Sequence, residues 1–171
     1  MFKWLACLHY RKPKIIFGDV YWTIGEEAST YEYFIPVKNM ELKGWSRRNC
    51  NRDDAKECQV KVKFMRENKP FGEANWWSNR LTAGKTLKPG SKSELFCLVT
   101  LKRKQDDKPI ISLAGTSRAT SGSIPPYKIP FGTDIIANVS IMSEGKEIAL
   151  SKWRICISSN ILAPVNIERV K

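Results

Sequence analysis

Apolar and polar residues alternate along several short runs of this chain. In Tyr31-Glu32-Tyr33-Phe34-Ile35-Pro36-Val37, in Cys58-Gln59-Val60-Lys61-Val62-Lys63-Phe64 and across residues 135–141 the period is two. At that spacing one face of a β-strand is buried while the other stays wet. A strand is also predicted over residues 15–24, with Val20, Trp22 and Ile24 on one face, and ended by Gly25 and Glu26-Glu27. Residues 95–101 are apolar on both faces, as in a strand covered on each side. Residues 133–143 and 147–158 form two long strands joined as a hairpin at Ser143-Glu144-Gly145-Lys146. Shorter elements are expected around residues 81–87 and 110–113.

The segments between these runs carry turn residues. Pro36 removes a backbone donor, which places its end of the 31–38 strand at a sheet edge or beside a bulge. Residues 39–56 read as a polar connection with room for one irregular turn of helix. Residues 68–72 read as a loop, and Lys88-Pro89-Gly90-Ser91 as a tight turn. The stretch 102–128 is charged and then rich in Ser, Gly, Thr and Pro, the composition of a mobile loop. About seven strands, frequent turn signals and the absence of an amphipathic helix together predict an all-β fold, an antiparallel β-sandwich, with barrel closure as the alternative. The expected layout is a basic lead-in over 1–14, one β-sandwich domain over 15–158 and a tail over 159–171.

A family resemblance accompanies this pattern. Tyr33-Phe34-Ile35-Pro36-Val37-Lys38-Asn39, Ala55-Lys56-Glu57-Cys58-Gln59-Val60, Trp77, and Leu87-Lys88-Pro89-Gly90 ahead of residues 95–99 resemble immunoglobulin-like domains of uncharacterised archaeal and bacterial proteins. The likeness spans roughly residues 15–158. It implies an immunoglobulin-like sandwich of a kind often found beside membrane-spanning segments, and it supplies no activity and no catalytic residue.

Composition narrows the function classes. The 171 residues are 42% hydrophobic and 27% charged, ordinary for a folded domain and too apolar for a disordered chain. Twenty-nine Lys and Arg against 17 Asp and Glu give a formal charge of +12, which favours anionic partners but is equally the mark of a solubilised surface with blunted strand edges. The five cysteines, Cys7, Cys50, Cys58, Cys97 and Cys156, lack the paired spacing of a zinc or redox motif. Cys58 shares a face with Val60, Val62 and Phe64, so the cysteines are expected as buried free thiols in a reducing compartment, with one inter-sheet disulfide as the alternative. No run reaches the roughly 20 apolar residues of a membrane-spanning helix, and residues 4–8 are too short for a secretory signal. The expected location is cytoplasmic, with membrane association through Trp4 and the basic residues after it as the alternative.

Little in the chain points to catalysis. The single histidine, His9, lies in the lead-in, far from any predicted cleft. The pairs Glu26-Glu27, Asp53-Asp54 and Asp106-Asp107 read as solvated turn residues rather than paired acids or a metal site. Gly84-Lys85-Thr86 lacks the preceding glycine of a phosphate loop, since position 79 is Asn79. Asn138-Val139-Ser140 fits a glycosylation acceptor but falls within a strand pattern. No cofactor or metal is expected.

The strongest binding constellation is Trp76, Trp77, Arg80, Lys85, Lys88 and Lys92, because no acidic residue lies between Glu73 and Glu94. Aromatic faces beside cations stack bases or sugars while the charges hold phosphates or carboxylates. Arg47, Arg48 and Arg52 extend that surface if the two connections meet. The expected function is therefore a non-enzymatic binding or scaffolding module for a macromolecular partner, a protein first. A nucleic acid held by the basic, aromatic-containing surface is the alternative, and carbohydrate recognition by Trp76 and Trp77 the third reading.

Overall fold

The computed structural model describes residues 7–8, 10–24, 30–76, 85–102, 110–113, 132–158 and 165–170. The first sheet comprises β1 (Ile15–Phe17), β2 (Tyr21–Ile24), β3 (Thr30–Asn39), β7 (Glu94–Lys102) and β8 (Ile110–Leu113). The second comprises β4 (Ala55–Arg66), β5 (Lys69–Trp76), β6 (Lys85–Leu87), β9 (Asp134–Ser143), β10 (Lys146–Cys156) and β11 (Asn166–Val170). All described pairings are antiparallel. The orders are β1–β3–β7–β8, with β2 also on β3, and β11–β10–β9–β4–β5, with β6 also on β4. The fold is all-β with two antiparallel sheets, as the alternation requires.

The period-two runs supply the core. Val60, Val62 and Phe64 of β4, Ile135, Ala137, Val139 and Ile141 of β9, and Trp153 and Ile155 of β10 are buried, while the residues between them are more exposed. They face Tyr33, Ile35 and Val37 of β3 and Phe96 and Leu98 of β7 in one continuous cluster. Each fully buried large side chain contributes on the order of 1.5–3 kcal/mol relative to exposure. The doubly apolar β7 is covered on both faces: Phe96, Cys97, Leu98 and Val99 are all buried.

Eleven strands are described where about seven are expected, and local chemistry explains the difference. The 15–24 run is two strands, because the chain breaks pairing at residues 18–20. Gly18 donates its N–H to the Pro36 carbonyl at 2.8 Å. The donor that Pro36 lacks therefore faces this same interruption, so the proline sits beside an irregularity and not at an edge. β3 is an interior strand, paired with β1 and β2 on one side and β7 on the other. The expected loop at 68–72 is instead the start of β5, which follows a tight hairpin at Glu67 and Asn68, both with positive φ (49° and 63°). No glycine announces that turn. The Glu144-Gly145 hairpin, with φ of 48° and 77°, is where the sequence places it. β11 arises from residues with no strong alternation and pairs with the edge of β10.

The connection between β3 and β4 carries one short helix, α1 (Gly44–Asn49), as expected. At the start of β4 a bulge between Ala55 and Cys58 turns Glu57 to φ 47°, and Ser143 donates its hydroxyl to the Lys56 carbonyl at 2.7 Å. The 102–128 stretch lies outside the described residues apart from Lys102 and β8.

Candidate functional site: a basic end built on Asn39

Three segments distant in sequence meet at one end of the sandwich around a single buried side chain. Asn39, the last residue of β3, is fully buried. Its Oδ1 accepts the Lys14 N–H at 3.0 Å, and its Nδ2 donates to the carbonyls of Asp53 (3.0 Å) and Leu87 (3.1 Å). Its own carbonyl accepts the Gly90 N–H at 3.1 Å. An amide is suited to this position because it carries both a donor pair and an acceptor.

Backbone and side-chain contacts complete the junction. Met40 donates to the Lys14 carbonyl at 2.9 Å, and Asp53 donates to the Arg11 carbonyl at 2.6 Å. Arg52 Nη1 donates to the Lys12 carbonyl at 2.9 Å, and Arg11 forms an exposed ion pair with Asp53 at 3.7 Å. The 88–91 turn is closed by Ser91, whose N–H and hydroxyl both reach the Lys88 carbonyl. Gly90 has φ +75°, a backbone conformation that favours glycine, and a methyl group there would push aside the exposed end of the Glu41 side chain.

A disulfide between Cys7 and Cys50, with a Cα–Cα distance of 5.4 Å, fastens the N-terminal segment to the end of the α1 connection. This corrects the expectation of free thiols for these two residues. Cys58 and Cys97 are buried free thiols as expected, and Cys156 is half-buried.

The consequence is electrostatic. Residues 10–14, 40–54 and 88–92 hold nine Lys and Arg against three Asp and Glu, so half of the formal +12 comes from these short segments. Arg11, Lys12, Lys14, Lys43, Arg47, Arg48, Lys88 and Lys92 are exposed. The outer face of the second sheet also carries lysines, yet Arg154 is paired with Glu168 at 3.4 Å and Glu147 accepts the Ser140 hydroxyl at 2.6 Å. The three segments of the basic end, with nine basic and three acidic residues, carry a formal excess of six positive charges.

The structure thus places Arg47 and Arg48 at the same end as Lys88 and Lys92. Lys85, in β6, is ion-paired with Glu94. Trp76 closes β5; its side chain, together with Trp77 and Arg80, lies outside the described residues. Sequence reasoning missed Arg11, Lys12 and Lys14 as members of this surface. The signal that could have found them is the tripartite hydrogen-bonding capacity of an Asn at a strand end, which is too common to single out.

Among the described residues no group of three or more His, Cys, Asp or Glu could hold a metal ion. Burial raises the Cys58 thiol to about 11, against partly offsetting hydrogen bonds, and its Sγ lies 3.2 Å from the Ala55 carbonyl. Burial, reinforced by Asp134, also raises Cys156. Neither is poised as a thiolate. No helix among the described residues is long and apolar enough to cross a membrane. No known family model, curated protein or solved structure matches the chain.

Proposed function

We propose that this protein is a non-enzymatic binding module that docks an acidic surface of a protein partner through its basic end. The observation that carries this reading is the convergence of Arg11, Lys12, Lys14, Arg47, Arg48, Lys88 and Lys92 on the Asn39 junction, with few neighbouring acids to neutralise them. Exposed Leu8 and Tyr10 lie in the same N-terminal segment, and apolar and aromatic side chains beside Arg are the composition of protein interfaces. A nucleic-acid partner is the second reading, favoured by the exposed Arg47-Arg48 pair on α1 and the overall charge.

The strand order supports an immunoglobulin-like arrangement. β1/β2–β3–β7 follows the A–B–E order of such domains, with β8 in the place of strand D although it follows β7 in the chain, and β5–β4–β9–β10 follows C′–C–F–G. The Cys7–Cys50 bond supports an oxidising compartment over a reducing cytoplasm.

The test is fluorescence anisotropy with two labelled probes, an oligoglutamate peptide and a single-stranded oligonucleotide, over a salt series. The reading expects both to bind at low salt and the peptide to persist at about 0.15 M. Charge reversal by Arg47→Glu, Arg48→Glu, Lys88→Glu and Lys92→Glu together is expected to weaken peptide binding at least tenfold. Equal binding by that variant overturns the reading. Oligonucleotide binding alone, with a slope of log affinity against log salt near −0.7 per contacted phosphate, transfers it to nucleic acid.

A further inference from the structure

The edge of the first sheet at β2 lacks the features with which sheet edges are normally protected. β2 pairs with β3 on one side and with no other strand among the described residues. All four of its residues are exposed, including Trp22 at 53% and Ile24 at 59%. The run Tyr21-Trp22-Thr23-Ile24 carries no charge, no proline and no glycine, the composition that pairs most readily with another strand. By contrast, β5 begins with Lys69-Pro70 and β11 carries Glu168-Arg169.

From these observations we infer that β2 is a docking edge for an extended, lysine- or arginine-bearing segment of a protein partner, which joins the sheet as an added strand. The aromatic side chains at this edge are already held in place: Tyr21 stacks on Phe34 at 5.7 Å, and Trp22 leans against Tyr31 at 5.7 Å. Trp22 and Ile24 stand opposite Tyr33 and Tyr31, and Thr23 stands opposite Glu32. An added strand therefore sets alternate side chains against Trp22 and Ile24, and the intervening ones on the Thr23 and Glu32 face.

Charge selects the occupant. The charged residues described nearest β2 are Asp19, two positions before Tyr21, and Glu32, opposite Thr23, both acidic in a chain of net charge +12. At physiological ionic strength charges beyond about 8 Å are screened, so the local acidic character governs what approaches β2. A second copy would set acidic segment against acidic segment; a basic segment is complementary. This edge is independent of the basic end.

The test uses a fluorescein-labelled nine-residue peptide in which valine and lysine alternate. Anisotropy is expected to report saturable binding that salt weakens and that falls at least tenfold for Trp22→Lys and Ile24→Lys, with thermal melts verifying that both variants fold. The same peptide with glutamate for lysine is expected to bind at least tenfold more weakly. Hydrogen exchange is expected to slow at β2 amides when the lysine peptide binds. Unchanged binding by folded Ile24→Lys, preference for the glutamate peptide, or unaltered exchange at β2 each overturns the inference. So does a wild-type dimer in sedimentation that Ile24→Lys dissociates, because the edge then belongs to a second copy. Loss of lysine-peptide binding in the variant with charge reversal at positions 47, 48, 88 and 92 also overturns it.

Discussion

Replacing Asn39 by Ala removes three hydrogen bonds at once and tests whether one amide organises the basic end. The bond from Nδ2 to the Leu87 carbonyl is fully buried, and those involving Lys14 and Asp53 are partly so. Stranding a buried backbone group costs about 1–3 kcal/mol, whereas a group that water can reach recovers much of that. Taking about 2 kcal/mol for Leu87 and about 0.5 kcal/mol for each of the other two gives a loss of about 3 kcal/mol. For a chain of this size that is a fall in Tm of about 6–12 °C. Thermal and urea unfolding measure the loss, and hydrogen exchange at Lys14 and Gly90 locates it. Asn39→Asp keeps the acceptor for Lys14 but turns a carboxylate toward two carbonyls, so its folded pKa is raised. Its stability is retained below pH about 4 and is lost as pH rises above that value. A loss below about 1 kcal/mol in Asn39→Ala, with protection at Lys14 and Gly90 unchanged, refutes the junction.

Further outcomes are open to direct measurement. Cys7→Ser removes a cross-link between residues 43 apart, whose loop entropy is worth up to about 4 kcal/mol; unfolding with and without reductant reads the difference. Gly90→Ala, at φ +75° and against Glu41, is expected to cost more than about 1 kcal/mol, with partial rescue by Glu41→Ala in the double variant. Cys58 has its folded pKa raised from 9.0 to about 11, so its contribution to stability is complete below pH 9 and is lost as pH climbs through 11. Wild type is accordingly expected to lose more stability over that window than Cys58→Ala, by urea melts at pH 8, 9, 10 and 11. Below pH 9 Cys58 is expected to resist thiol reagents until the protein unfolds.

The alternating runs of β4, β9 and β10 were legible because a period of two has one physical meaning when one face must be dry. Cys58, Val60, Val62 and Phe64 are buried for that reason. Features that depend on a single backbone angle or on distant partners were not legible. Glu67 and Asn68 make a hairpin turn without glycine, and β11 is a strand because β10 offers it an edge, not because Asn166–Val170 alternates. Arg47, Arg48, Lys88 and Lys92 stood out as charges, but the long-range contacts that bring their two connections together, the bonds from Asn39 and the pairing of Ala55 with Leu87, have no local signature. Cys7 and Cys50 lie outside every strand pattern, so their pairing had no local signature.

The central claim is that anionic partners meet the basic end and not the lysine-bearing outer face of the second sheet. Amide chemical-shift mapping of the wild-type protein titrated with oligoglutamate tests it most directly. Shifts are expected at Lys12, Lys14, Lys43, Arg47, Arg48, Gly90 and Lys92, with residues 61, 63 and 152 unmoved. Shifts centred on Lys61, Lys63 and Lys152 instead, with the Asn39 junction silent, contradict the account.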